Sequence, residues 1–324
     1  HGFPRMTRRG DRYVFVRRHE TIDCMSGRSD APLEGVVLDD VEPESIASTE
    51  LRAALTSERS LVRQRGARVC AALAADNVDE VRPFVKELGA VVHDENAGVV
   101  QTATAALQEI ATIDSTALVP IVDDLATLVG SDLPSVRLAG ARLLGEVAEE
   151  RPAACVSVFG TLLGGLSESP VTAGGDSAVA YVEDPGTKEA IQQREQESKE
   201  YEQHARQLAS NVVITAANAE PAAVADHTAT LADLATANDA VARSAALDAL
   251  GSVARASPEA VRPHVSVALT ALDADARLVR ARAVRLLGLL SDEAHIDALE
   301  RVAASDPNEE IATFAAETAS FLAR

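Results

Sequence analysis

From residue 43 onward, apolar stretches of helical length alternate with short polar turns, and the alternation keeps a fixed period. An arginine closing a short run serves as reference: Leu61-Val62-Arg63, Ser135-Val136-Arg137, Val241-Ala242-Arg243 and Leu278-Val279-Arg280. Its equivalents fall at Arg63, Val100, Arg137, Arg206, Arg243, Arg280 and Ile311, in steps of 37, 37, 69, 37, 37 and 31 residues. The long step is one period plus 32 residues. Self-similarity at this spacing marks a stacked-repeat architecture.

Other positions keep the same phase. Five residues before the anchor stand Glu58, Glu95, Asp132, Tyr201, Asn238, Asp275 and Asp306. Acids and amides here are expected to cap or charge-stabilise a helix start, Asp306-Pro307 foremost. The acid–arginine spacings Glu58/Arg63, Asp132/Arg137 and Asp275/Arg280, with Arg206 and Arg243, are expected to link neighbouring units. Three residues after the anchor come Gly66, Ala103, Gly140, Ala209, Ala246 and Ala283, small enough for helix axes to approach closely. Pro152, Pro221 and Pro258 open a second helix, where a missing N–H costs nothing. Eight residues before the anchor, Leu55, Val92, Val129, Ala235 and Leu272 close the preceding helix. Each unit therefore reads as helix A, a turn and helix B. One such pair cannot bury its apolar stripe alone, so the units must stack. Pro43 to Thr56 reads as an unpaired cap at one end, and Ile311 to Leu322 as a cap at the other, with Glu309, Glu310 and Glu317 outward.

The acid-x4-Arg spacing, Leu-Gly in helix A (Leu144-Gly145, Leu250-Gly251, Leu287-Gly288) and the prolines of Val81-Arg82-Pro83, Leu118-Val119-Pro120 and Val261-Arg262-Pro263 resemble HEAT repeats. That α-solenoid family is related to armadillo and to phycobilisome-lyase-type units. The resemblance covers residues 43–324 less the insertion, and departs at Val100 and Ile311, which lack the arginine. It implies an all-α, right-handed solenoid of about six helix pairs with a capping helix at each end. It also implies that B helices line the concave side, which makes Arg82, Lys86 and Arg262 candidate partner contacts or ordinary surface charges.

Four segments follow. Residues 1–42 are expected to be disordered, first basic and then acidic; 43–168 hold the cap and repeats one to three; 169–199 are the insertion; 200–324 hold repeats four to six and the last cap. Residues 1–28 carry seven arginines against Asp11, Glu20 and Asp23. Met25-Ser26-Gly27-Arg28 has the look of an ordinary start, so residues 1–24 read as lying outside the native protein, as a basic arm or as a targeting segment. In the insertion, Pro170, Gly174, Gly175, Pro185 and Gly186 predict a loop, and Lys188 to His204 a helix polar nearly all round. Two readings stay open for that helix: a solvated extension of helix A of the fourth repeat, or a partner-binding element.

Composition narrows the function. Lys+Arg is 30 against Asp+Glu 50, a net charge of −20, and lysine occurs only at positions 86, 188 and 199. The acidic excess fits adaptation to concentrated salt, while GC-rich coding would also favour Arg and Ala. Such charge disfavours nucleic-acid binding by the body of the chain. With 3% aromatics and no Trp, a β-sandwich or barrel is not expected. No run approaches 18 uncharged apolar residues, so no membrane span is expected. Cys24, Cys70 and Cys155 show no metal or disulfide spacing, which fits a reducing cytoplasm.

No phosphate-binding glycine loop, HExxH or GxSxG occurs, and His19-Glu20 is the only His-Glu pair. HEAT-like di-iron hydroxylases carry several such pairs, and HEAT-like DNA glycosylases use basic aromatic faces; this chain has neither. His227 and His264 share a repeat position and read as a metal pair or as surface histidines. The expectation is a monomeric, cofactor-free, non-enzymatic module that binds or scaffolds a protein. The alternatives are an accessory or lyase-like protein acting on a cofactor or modified protein, and nucleic-acid association through the basic arm.

Overall fold

A computed structural model describes residues 32–37, 46–168 and 184–324, with the backbone of Thr7–Arg9 and Arg12–Val14. Cys24, Met25, Pro43 and the loop glycines Gly174 and Gly175 lie outside the described residues. The chain divides into two units, His1–Ala31 and Pro32–Arg324. In the first, β1 (Thr7–Arg9) and β2 (Arg12–Val14) pair antiparallel, with Arg8 opposite Tyr13. Most of residues 1–42, expected to be disordered, lie outside the described residues.

Leu33 is fully buried. Its N–H donates to Glu50 Oε1 at 2.7 Å and its carbonyl accepts from Arg65 Nη1 at 2.9 Å. The residue sits at φ 64, a left-handed conformation costly for a branched side chain. Burial of the leucine and two hydrogen bonds hold it there.

The second unit is a stack of helices. A cap, α1 (Ser48–Leu55), precedes six pairs. The A helices are α2 (Ser60–Asp76), α4 (Ala97–Asp114), α6 (Pro134–Glu150), α8 (Pro185–Ala219), α10 (Ala240–Ala256) and α13 (Arg277–Leu290). The B helices are α3 (Val85–Val91), α5 (Val122–Val129), α7 (Phe159–Ser167), α9 (Thr228–Leu234), α11 with α12 (Pro258–Val261, Val265–Ala271) and α14 (Ile296–Ser305). A final helix, α15 (Glu309–Leu322), closes the array. Every A helix except α8 begins three residues before its anchor position, so the period read from sequence is the period of the structure.

The B helices are shorter than the sequence pattern implies. Pro83, Pro120 and Pro263 each lie in a 3-10 segment, Arg82–Phe84, Ser115–Ile121 and Arg262–His264, ahead of the α-helical part. Proline lacks the N–H an α-helix needs, and its ring clashes with the preceding turn, so the entry winds more tightly. Pro152 and Pro258 open their segments as expected, whereas Pro221 stays in the turn ahead of α9.

Packing follows the phase. Ala103, Ala209, Ala246 and Ala283 are at most 1% exposed, and the closing residues Leu55, Val92, Val129, Ala235 and Leu272 are all buried. At Gly140 a Cβ would lie 2.5 Å from the Cβ of Leu128, so only glycine lets α6 settle against α5. The stretch Ala97–Val129 has a mean hydropathy of 1.2, enough by length and composition for a membrane span, but half of it is buried inside the protein. It is α4 and α5 joined by the Ser115–Ile121 turn, not one rod.

The insertion helix and helix A of the fourth repeat are one helix of 35 residues. Asp184 accepts from Thr187 N at 2.7 Å and Pro185 takes the first turn. Pairs four apart, Gln193 to Glu197 and Gln196 to Glu200, support the exposed length. The first buried residue of α8 is Ala205. Residues 185–200, about 24 Å at 1.5 Å each, therefore stand off the stack ahead of Tyr201 and Glu202, which meet it. The solvated extension is the reading this geometry supports.

Candidate functional site

The arginine anchors link neighbouring units, but through partners the spacing does not suggest. Each guanidinium ties its own turn to the start of the next unit. Arg63 donates to the carbonyls of Ser57 and Glu58, at 2.6 and 2.9 Å, and pairs with Asp94. Arg137 holds the Ser131 carbonyl at 2.7 Å and pairs with Glu202. Arg206 holds the carbonyls of Leu166 and Glu168 and reaches Asp239 at 2.9 Å. Arg280 holds Ala274 and Asp275 carbonyls and grips both oxygens of Asp306, at 2.7 and 3.0 Å. The Glu168 carbonyl takes the place of the one six before the anchor once 32 residues are subtracted, which fixes the insertion between 168 and 200.

The acids five before the anchor are corrected accordingly. Glu58 and Asp275 offer their carbonyls, while Glu58, Asp132 and Asp275 are exposed residues with no ion pair to their own arginine. Capping falls one position later, on Asn96 and Asp239, and two later on Asn308 in α15, so Pro307 precedes the helix rather than opening it. Asp94 and Asp306 each accept the N–H two residues on, which aims the other face of the carboxylate at the arginine. The Arg63 and Arg280 guanidiniums hold these carboxyls below the usual carboxylate range and are themselves raised in return. Arg243 has a single bond, to the Ala235 carbonyl at 3.2 Å. Its junction is bridged elsewhere: buried Asp248 on α10 takes Arg285 at 2.7 Å and Arg282 at 3.3 Å from α13. The junction of units two and three, with Val100 at the anchor, has no ion pair between α4 and α6 among the described residues.

Of the candidate partner contacts, Arg82 bridges Asp79 and Asp114, a tie between units one and two. Arg262 lies 3.6 Å from Glu259 and is half exposed, and Lys86 is exposed. The ring of His227 packs on Phe159 at 5.4 Å and lies over Gly160, which gives it a packing role. Among the described residues no three His, Cys, Asp or Glu side chains gather as a metal site. Burial pushes the Cys70 thiol up to about 12 and Cys155 to about 11, so both are inert core residues.

Two adjoining grooves open on the A-helix face of units one to three, of about 470 Å³ and 410 Å³. They share Gln101 and Ala105 of α4; Gln64 and Arg68 lie on one side, Arg142 and Tyr201 on the other. Tyr201, at the base of the projecting part of α8, is 42% exposed. The period read from sequence contains these residues, but the grooves arise where helices pack, which no spacing reveals.

This architecture defines an α-solenoid of HEAT-like repeats. Residues 44–302 match the model of the adaptin N-terminal region, and the chain belongs to that family. Among solved structures it is similar to an archaeal HEAT-like repeats protein from Thermococcus onnurineus NA1, with 14% identity and a TM-score of 0.52 over 86% of this chain and 97% of that one. An engineered protein aligns with 18% identity and a TM-score of 0.46 over 78% of this chain and 99% of the other. A designed armadillo repeat protein aligns with 15% identity and a TM-score of 0.33, over 84% and 98%. No curated protein matches in sequence.

Proposed function

We propose that the chain is a non-enzymatic scaffold that binds another protein along its repeat surface. The observation that carries this reading is the pair of adjoining grooves on the A-helix face, lined by glutamine, threonine and alanine. Amide and hydroxyl side chains can both donate and accept, which suits a polypeptide backbone. Most ion pairs among the described residues join one unit to the next. Repeat arrays commonly present such extended surfaces to partners. Affinity purification of the intact chain from its source cells, in native salt, tests the reading. A protein co-eluting in fixed proportion is expected. A chain that elutes alone, or with a chromophore or nucleic acid, overturns it.

A further inference from the structure

We infer that the paired grooves of units one to three take an acidic, extended peptide segment, whose carboxylates meet Arg68 and Arg142. The inference rests on the protein-binding reading and names the class of partner.

The position five after the anchor reads Arg68, Ala105, Arg142, Asn211, Asp248 and Arg285 along the array. At the junction of units five and six this position is self-complementary. Asp248 of one unit is held by Arg285 of the next at 2.7 Å, with Arg282 at 3.3 Å on the other oxygen, and the carboxylate is only 8% exposed. The protein thus shows what an arginine at this position does when an acid stands one unit away: it lies across the junction and closes it.

In units one to three the arginines are present and the acid is missing. Arg68 and Arg142 flank Ala105, whose methyl group leaves the middle of the slot open. Both arginines are exposed, and neither has an ion pair or hydrogen bond among the described residues. In a chain of net charge −20, with 50 carboxylates against 30 cationic side chains, two unpaired guanidiniums on one grooved face favour an anion. Glu109 is the one carboxylate lining either groove.

Geometry sets the segment. Packed helices lie about 8–10 Å apart, so arginines two units apart stand about 20 Å apart. An extended chain rises about 3.3 Å per residue and covers that in about six residues. The segment therefore carries Asp or Glu about six residues apart, with small residues over Ala105 and its backbone amides on Gln64, Gln101 and Gln108. A nucleic acid fits less well. Its continuous charge meets two cations on an acidic body, with Tyr201 the only aromatic ring in the grooves.

The test pans a display library of random 16-residue peptides on the full chain, then measures selected peptides by fluorescence anisotropy. Peptides with acids five to seven residues apart are expected. Affinity should fall at least tenfold in the double variant Arg68→Ala/Arg142→Ala and remain unchanged in Arg301→Ala. The charge-reversed Arg68→Glu/Arg142→Glu chain should select basic peptides instead. Circular dichroism checks that the variants keep their helicity, and Arg142→Gln alone carries the test if a double variant does not fold. Selection of peptides without acids, affinity unmoved by the double variant, or tighter binding of a 16-nucleotide single-stranded DNA overturns the inference. A natural partner still captured in full by the double variant sinks this site and leaves the scaffold reading standing; a parent chain that captures no protein sinks the scaffold reading.

Discussion

The junction between unit six and α15 and the junction between units two and three occupy the same place in the repeat and are held differently. At the first, Arg280 bridges two carbonyls of its own turn and both oxygens of Asp306, a carboxylate whose side chain is 2% exposed. At the second, Val100 fills the anchor position, Ser131 stands where Asp306 stands at the first, two residues before the helix cap, and a groove of about 410 Å³ opens between α4 and α6. The apolar stack is continuous through both. What differs is the polar tie, while grooves open both here and at the junction of units one and two, which Arg63 and Asp94 do tie. Stacking and linking are separable in this array, and the grooved face spans a tied and an untied junction alike.

The largest effect should come from breaking the strong junction. Arg280→Ala strands a buried carboxylate and two carbonyls, so unfolding free energy should drop by about 3–5 kcal/mol, read by denaturant titration. An indistinguishable midpoint would show the anchor to be surface charge. Acid should act on the same contact. Asp94 and Asp306 have folded pKa values held below the unfolded value, mainly by their arginines. Their contribution is therefore present above about pH 5, declines as pH passes the unfolded value near 4, and is lost as pH falls through the folded value. Melting temperature should drop along that path, and Asp306→Asn should flatten the slope.

Gly140→Ala tests the stack itself. Crowding against Leu128 costs about 1–3 kcal/mol, from which the higher helix propensity of alanine returns about 1. A net loss of about 1 kcal/mol is expected; a gain would mean that α6 can shift away from α5. The smallest effect sharpens the comparison directly. Val100→Arg with Ser131→Asp places a guanidinium and a carboxylate in the register that Arg280 and Asp306 hold, since Ser131 Oγ accepts the N–H two residues on as Asp306 does. In a double-mutant cycle of these two substitutions the pair should couple by about 0.5–1 kcal/mol. Zero coupling would show that the two junctions differ in backbone geometry as well as in these two side chains.

Much of the fold was legible because the repeat imposes the same requirement several times. A small residue three after the anchor, an apolar residue eight before it and a proline near the start of helix B each recur in phase, and the structure keeps that phase. The insertion was legible as 32 extra residues, and its union with helix A was one of the two readings the sequence left open. Nothing between Lys188 and His204 breaks a helix, so the insertion helix runs on into the fourth repeat. The B helices were read too long because the prolines mark both a helix start and a 3-10 entry.

The sequence by itself determined the period, the number of units, the small residues at helix contacts and the positions of the anchor arginines. These follow from local spacing, since helix periodicity and turn length are properties of short stretches of chain. Only the tertiary structure decided which carboxylate each arginine meets. An acid five residues upstream and one about thirty downstream both belong to turns at the same end of the stack. Which lies within reach of the guanidinium depends on how far one unit rotates and rises against the next. That is fixed by the packing of whole helices, and the partners Asp94, Glu202, Asp239 and Asp306 are its outcome.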